Sequence, residues 1–227
     1  MSTITYSGVS SDTLGIMVNQ IIVPPSSVEE YEMIKIPGRP EPLRSNLKTR
    51  PPIQIEVEAT IVEDNVLRQI YSTFQGTGKL IRSTEPDKYY NASAQVITPE
   101  NIARYMHKIT LGFECMPFAY AVSNDPVELE ISGSAATIDV GGGYYCQPIY
   151  KIYGSGDITL SVNGASPLTL YNVGGYVTVD TALMMCHKNG AHVKNSGKLP
   201  FLSPGTNMLS WSSNATAVEV IKNERWL

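Results

Sequence analysis

Apolar and polar residues alternate one for one through several stretches of this chain, and each such stretch predicts a β-strand with one buried and one solvated face. Ile158, Leu160 and Val162 alternate with Thr159 and Ser161. Ile53, Ile55, Val57, Ala59 and Ile61 alternate with Gln54, Glu56, Glu58 and Thr60. Tyr105, His107, Ile109, Leu111, Phe113 and Cys115 alternate with Met106, Lys108, Thr110, Gly112 and Glu114 in one long strand, of the kind that ties a small barrel together. One segment changes period. Val66, Ile70 and Phe74 recur every fourth residue with Leu67 beside them, predicting an amphipathic helix of about three turns near residues 64–75. Glu63 and Asp64 suit its positive N-terminal end, and Gly76 stops it.

Turn signals divide the rest. Asn163-Gly164 predicts a tight hairpin, because both residues adopt positive φ readily. Gly154-Ser155-Gly156-Asp157 and Gly174-Gly175 read as further turns, making residues 149–180 a meander of short antiparallel strands. Strands over 79–83 and 89–97 are joined through Glu85-Pro86-Asp87. Others are expected over 127–131, 137–140, 207–211 and 217–221, while 181–188 fits a helical turn or a strand equally well. Ser123-Asn124-Asp125-Pro126 is a turn-rich bridge, after which helix signals nearly vanish. The expected fold is mainly β: a barrel-like N-terminal domain with one helix over 1–126, then an antiparallel β-sandwich over 127–227.

Composition narrows the function. The chain has 227 residues, 42% of them hydrophobic, enough to bury a core, and its net charge of −4 argues against a nucleic-acid partner. Lys35, Arg39, Arg44, Lys48 and Arg50 form a local basic excess among Pro37, Pro40, Pro42, Pro51 and Pro52, which reads as a solvated loop. Cys115, Cys146 and Cys186 lack any paired spacing, so neither a disulfide framework nor a four-cysteine zinc site is expected. The first residues, MSTITYSGVSSD, carry no leader pattern, which predicts cytosolic synthesis, and no window approaches the ~18 apolar residues of a membrane span.

Catalytic constellations fail on inspection. Gly76-Thr77-Gly78-Lys79 resembles the end of a phosphate loop, but Leu80 stands where the magnesium-binding hydroxyl belongs and the helix precedes rather than follows. Cys186, His187 and His192 are too few for a recognised zinc pattern. Glu56 and Glu58 stand about 7 Å apart on one strand face, a spacing that also keeps an exposed sheet soluble. His107 falls on an apolar face, and the sequons at Asn91 and Asn214 matter only on a secretory route. No enzyme, cofactor or metal is expected. Tyrosine is abundant, at 13 residues, and Tyr144, Tyr145, Tyr150, Tyr153, Tyr171 and Tyr176 cluster in or near the glycine-rich run. Its apolar ring and polar tip suit a contact surface.

The chain resembles the distal tail proteins of phages with long non-contractile tails, including prophages of Gram-positive bacteria. The resemblance rests on Leu14-Gly15-Ile16 with Asn19, Ile36-Pro37-Gly38-Arg39, residues 52–59 and the helix at 66–74. It also rests on Glu85-Pro86-Asp87-Lys88-Tyr89-Tyr90, the run FECMPFAY at 113–120, the run PIYKIYGSGDI at 148–158 and LSPGTN at 202–207. It implies a hub at the virion tail tip, made in the host bacterial cytoplasm. The N-terminal domains would form a ring, usually of six copies, that joins the tail tube to a tail-associated lysin or fibre protein. A galectin-like C-terminal sandwich would point outward and hold receptor-binding proteins or contact the host surface. On this reading Arg39, Arg44, Lys48 and Arg50 are the candidate subunit interface, facing the acidic 29–32 stretch of a neighbour, and Tyr150, Tyr153, Tyr171 and Tyr176 the outer contact surface. The competing reading is a β-sandwich lectin or carbohydrate-binding module that stacks tyrosines on sugar rings.

Overall fold

A computed structural model describes residues 2–62, 66–96, 100–103, 106–129 and 134–227. The fold is mainly β, with one α-helix among the described residues. It divides into two compact units, Met1–Val122 with Leu227, and Ser123–Trp226.

The first unit contains β1 (Ile4–Tyr6), β2 (Val9–Ser10), β3 (Ile16–Ile22), β4 (Tyr31–Ile34), β5 (Leu43–Asn46) and β6 (Ile53–Ile61). After α1 (Val66–Thr73) come β7 (Gly76–Arg82), β8 (Glu85–Val96), β9 (Glu100–Ala103) and β10 (Met106–Ala121). Hydrogen-bonded neighbours run β2-β1-β7-β8-β10-β6-β3, and Ser2 bridges Val18, so the lead-in to β1 meets β3 and the sheet curls toward closure. The alternating segments pair as antiparallel neighbours, His107 opposite Ile61 through Cys115 opposite Ile53. Their apolar faces enclose Tyr6, Phe74 and Phe113, whose ring centroids lie 5.5–6.0 Å apart. The Tyr6 hydroxyl donates to the Gly76 carbonyl at 2.7 Å, satisfying its one polar atom.

The described part of the helix is Val66–Thr73, with Ile70 and Phe74 buried, and Glu63 and Asp64 lie outside the described residues. One expectation changes here. Glu85-Pro86-Asp87 belongs to β8, and the turn is Ser83-Thr84. The β7–β8 ladder skips from Ile81 opposite Tyr89 to Arg82 opposite Glu85, so Pro86 sits in a bulge where its missing N–H breaks no rung. Pro117 is likewise tolerated inside β10, at the register break between Cys115 and Ala119.

The second unit contains β11 (Val127–Leu129), β12 (Ala135–Val140), β13 (Ile149–Val162), β14 (Leu168–Asp180) and β15 (Met185–Lys188). It continues with β16 (Ala191–His192), β17 (Asn195–Ser196), β18 (Gly205–Trp211) and β19 (Ala215–Ile221). The meander is in fact one long hairpin. Asn163 (φ 51°) and Gly164 (φ 69°) make its turn, closed by Ala165 N–H donating to the Val162 carbonyl at 3.0 Å. The other glycines lie within the strands, with Gly154 opposite Gly175 and Ser155 opposite Gly174. A Cβ on Gly154 would stand 2.2 Å from the Asn214 carbonyl oxygen, so glycine here permits a close backbone approach. Beyond that point β13 changes partner: 149–154 pair with β19, and 160–162 pair with β18. The sequence's closing strands therefore flank different halves of β13 rather than each other. Inward residues of both halves, among them Tyr150, Ile152, Ile158, Leu160, Val177 and Val179, join one core. Residues 181–184 form a turn held by Asp180, whose Oδ1 accepts from Ala182 and Leu183 N–H at 2.9 Å, before the strand β15.

Candidate functional site

The basic segment is a structured hairpin, not a bare loop. Tyr31 pairs with Asn46 and Ile34 with Leu43, with Pro37 and Gly38 in the turn region between the strands. Arg50 fastens its base: the guanidinium donates to the Ser27 carbonyl and pairs with Glu29 at 3.4 Å. Asn46 donates to Glu29 at 2.8 Å, and the Thr49 hydroxyl to Glu30 at 2.9 Å. Arg50 thus braces its own hairpin, and Glu29 and Glu30 already have partners within the chain. Arg44 lies 3.7 Å over the Tyr31 ring on the exposed surface. Arg39 and Lys48 are also exposed.

The hairpin's apolar content was missed. Tyr31, Met33, Ile34, Ile36, Leu43 and Leu47 are all exposed, and no residue of β4 or β5 is buried. A two-stranded hairpin without a covered face is marginal in water. Such a patch marks a surface that another molecule covers.

The four tyrosines separate. Tyr150 is wholly buried, and its hydroxyl donates to the Pro200 carbonyl at 3.1 Å, so it is a core residue and leaves the contact surface. The physical reason is strand parity: Tyr150 shares a face with Ile152, whereas Tyr153 points the other way. Tyr153, Tyr171 and Tyr176 are half-buried. Tyr153 and Tyr176 face each other across β13 and β14 with centroids 6.2 Å apart. Their hydroxyls donate to Glu219, at 2.8 Å, and to Asn189. Lys151 sits 4.8 Å over Tyr153, Lys188 5.2 Å over Tyr176, and Lys194 5.4 Å over Tyr171. Ammonium groups thus occupy the ring faces that a stacked sugar would need. Tyr144 and Tyr145 instead flank the Arg225 guanidinium, 5.4 and 4.4 Å away.

Gly76-Thr77-Gly78-Lys79 is part of strand β7, and Lys79 lies 4.2 Å over the Tyr89 ring. Glu58 pairs with Lys108 at 3.0 Å. His187 lies opposite His192, and among the described residues no group of His, Cys, Asp or Glu could hold a metal ion. The three cysteines are free and buried. Burial pushes the Cys115 thiol up to about 12 and raises those of Cys146 and Cys186. Such thiols are inert at neutral pH. A groove of about 370 Å³ crosses the outer face of β7, β8 and β10, with Lys79, Asn91, Ser93, Glu114 and Met116 among its lining residues. Alternation alone does not reveal it, because three strands build it.

Comparison with known proteins bears on the fold and on the first unit. Residues 12–115 match the family model described as the phage tail protein RIFT-related domain. The matched residues all lie in the first unit. Over the full length of both chains, the fold superposes with a TM-score of 0.78 and 15% identity on the Dit (gp 19.1) protein of SPP1. That protein is described as a paradigm of the hub adsorption apparatus in phages infecting Gram-positive bacteria. A search of curated proteins finds no match. The resemblance to a phage distal tail protein is borne out by the domain match and by the shared fold.

Proposed function

We propose that this chain is the hub of the distal tail of a phage with a long non-contractile tail. Copies close through the first unit into a ring, six in the form that the resemblance implies. The ring joins the tail tube to a tail-associated lysin or fibre protein at the virion tail tip. The second unit offers Tyr153, Tyr171 and Tyr176, with their lysines, as a contact surface for receptor-binding proteins. Tail proteins of this kind are made in the host bacterial cytoplasm.

The observation that carries the reading is the coincidence of a phage tail domain at 12–115 with a full-length fold match to a tail hub protein. The β4–β5 hairpin supports it physically, since its exposed apolar residues and the cations Arg39, Arg44 and Lys48 supply one half of a head-to-tail contact. Light scattering of the purified protein tests the reading. A ring gives a mass several times the 24.8 kDa chain, six times for a hexamer. A monomer at every concentration tested contradicts it.

A further inference from the structure

We infer that Asn189 is a site of intramolecular deamidation: the backbone nitrogen of Gly190 attacks the Asn189 side-chain amide, and the residue ends as aspartate or isoaspartate. The inference concerns the second unit and does not rest on the ring reading.

The sequence contains two Asn-Gly pairs, Asn163-Gly164 and Asn189-Gly190. Asparagine is thermolabile, and a following glycine, which has no Cβ, leaves its own backbone nitrogen open to close approach. Both pairs sit in tight hairpin turns, with φ of 51° and 69° in the first and 49° and 80° in the second. At neither glycine would a Cβ meet anything within 4 Å, so open space does not separate them. The asparagine side chains do. Asn163 is held at both ends, its Oδ1 accepting from the Met208 N–H at 2.8 Å and its Nδ2 donating to Asn207 Oδ1 at 2.9 Å. Asn207 is wholly buried and donates to the Ser203 and Gly205 carbonyls, so that tether is itself fixed. Turning the Asn163 amide toward Gly164 breaks it.

Asn189 is exposed, and its Oδ1 accepts from the Tyr176 hydroxyl. Among the described residues its Nδ2 has no protein partner, so the amide turns freely about that one bond. The bond also helps. Attack on Cγ places negative charge on Oδ1, and a donor already aimed at that oxygen stabilises it. The Met208 N–H offers Asn163 the same help, but the Nδ2 tether keeps that amide from turning. Position in the sheet widens the difference. Asn163-Gly164 closes β13 against β14 between the buried Val162 and Leu168. Asn189-Gly190 closes β15 against β16, the last strand of the sheet order, and both residues of β16 are exposed. An edge hairpin with few buried contacts opens locally at little cost, which lets the Gly190 nitrogen reach Cγ.

The reaction needs water alone. A bond forms between the Gly190 nitrogen and Asn189 Cγ, the Cγ–Nδ2 bond breaks, and the Gly190 amide proton passes through solvent to the leaving nitrogen, which departs as ammonia. Water then opens the succinimide at Cγ to give aspartate, or at the main-chain carbonyl carbon to give isoaspartate. Either product adds a carboxylate. Residues 181–218 carry Lys188, Lys194 and Lys198 and no Asp or Glu, and Lys188 lies 5.2 Å over Tyr176. The new charge therefore forms beside a lysine-covered tyrosine of the proposed contact surface.

Peptide mapping of the purified full chain, sampled over days in mildly alkaline buffer, tests this with Asn163 as the internal reference. Conversion at Asn189 is expected to outpace that at Asn163 roughly tenfold or more, a barrier difference of about 1.4 kcal/mol. Tyr176→Phe is expected to slow Asn189 roughly threefold or more, short of the ~100-fold lost with a buried enzymic donor, and to leave Asn163 unchanged. Conversion at Asn163 as fast as at Asn189 overturns the inference. So does an Asn189 that stays intact while a free peptide of residues 185–194 converts. An Asn189 rate that is unchanged or faster in Tyr176→Phe overturns the part assigned to the hydroxyl.

Discussion

Tyr150 and Tyr153 lie on one strand with opposite roles, and parity along β13 accounts for it. Tyr150 points inward with Ile152, and Tyr153 points outward to Glu219. Truncating Tyr150 to Ala leaves a cavity and an unpaired Pro200 carbonyl, and is expected to cost about 3–5 kcal/mol in urea unfolding. Tyr153→Ala, which loses only a half-exposed contact, should cost about 1 kcal/mol or less. The buried thiols set a second expectation. An unfolded cysteine loses its proton near its ordinary value of 9.0, whereas folded Cys115 holds its proton up to about 12. The folded state thus binds the extra proton in this window. Its contribution is complete below pH 9 and falls by about 1.4 kcal/mol per pH unit as pH rises toward 12. Cys146, Cys186, Tyr6, Tyr90 and Tyr150 are raised by burial too and act in the same direction. Urea midpoints measured from pH 8 to 12 should decline steeply, and less steeply in Cys115→Ala.

Elements explain which parts of the fold were legible. Where one face of a strand is buried and the other wet, alternation reports the strand directly, as over Ile53–Ile61 and along His107–Cys115. Tyr150 was readable in the same way, since it shares parity with Ile152. Glycine defeated the reading of β13 and β14, because the same residue that makes a turn also allows backbones to approach inside a sheet, as Gly154 does. Pro86 misled for a related reason: a bulge tolerates a proline as well as a turn does. The β4–β5 hairpin was illegible because neither face is buried, so its residues show no in–out pattern. That same lack of a core predicts its dispensability for folding. Replacing residues 31–46 with a short Gly-Ser turn is expected to shift the thermal midpoint by only a few degrees, roughly the effect of 1 kcal/mol in a domain of this size. Assembly, read by light scattering, should be lost. A variant that unfolds would show instead that the hairpin supports its own unit.

At the scale of the whole molecule, the chain spends its sequence on sheets and surfaces. Curled sheets enclose two cores, and the residues left for contact are a bare apolar hairpin, a groove, and tyrosines covered by lysines. Such surfaces suit the proposed assembly role, in keeping with the match of residues 12–115 to a phage tail domain model. The sequence conveyed this only as a resemblance of overall pattern, since no single motif carries it. Electron cryomicroscopy of the purified wild-type protein tests the account most directly. The account predicts closed rings with a central channel, in which the β4–β5 hairpin of each copy lies on the first unit of the next. Particles of one copy, or rings whose hairpins project into solvent while other surfaces make the contact, would contradict it.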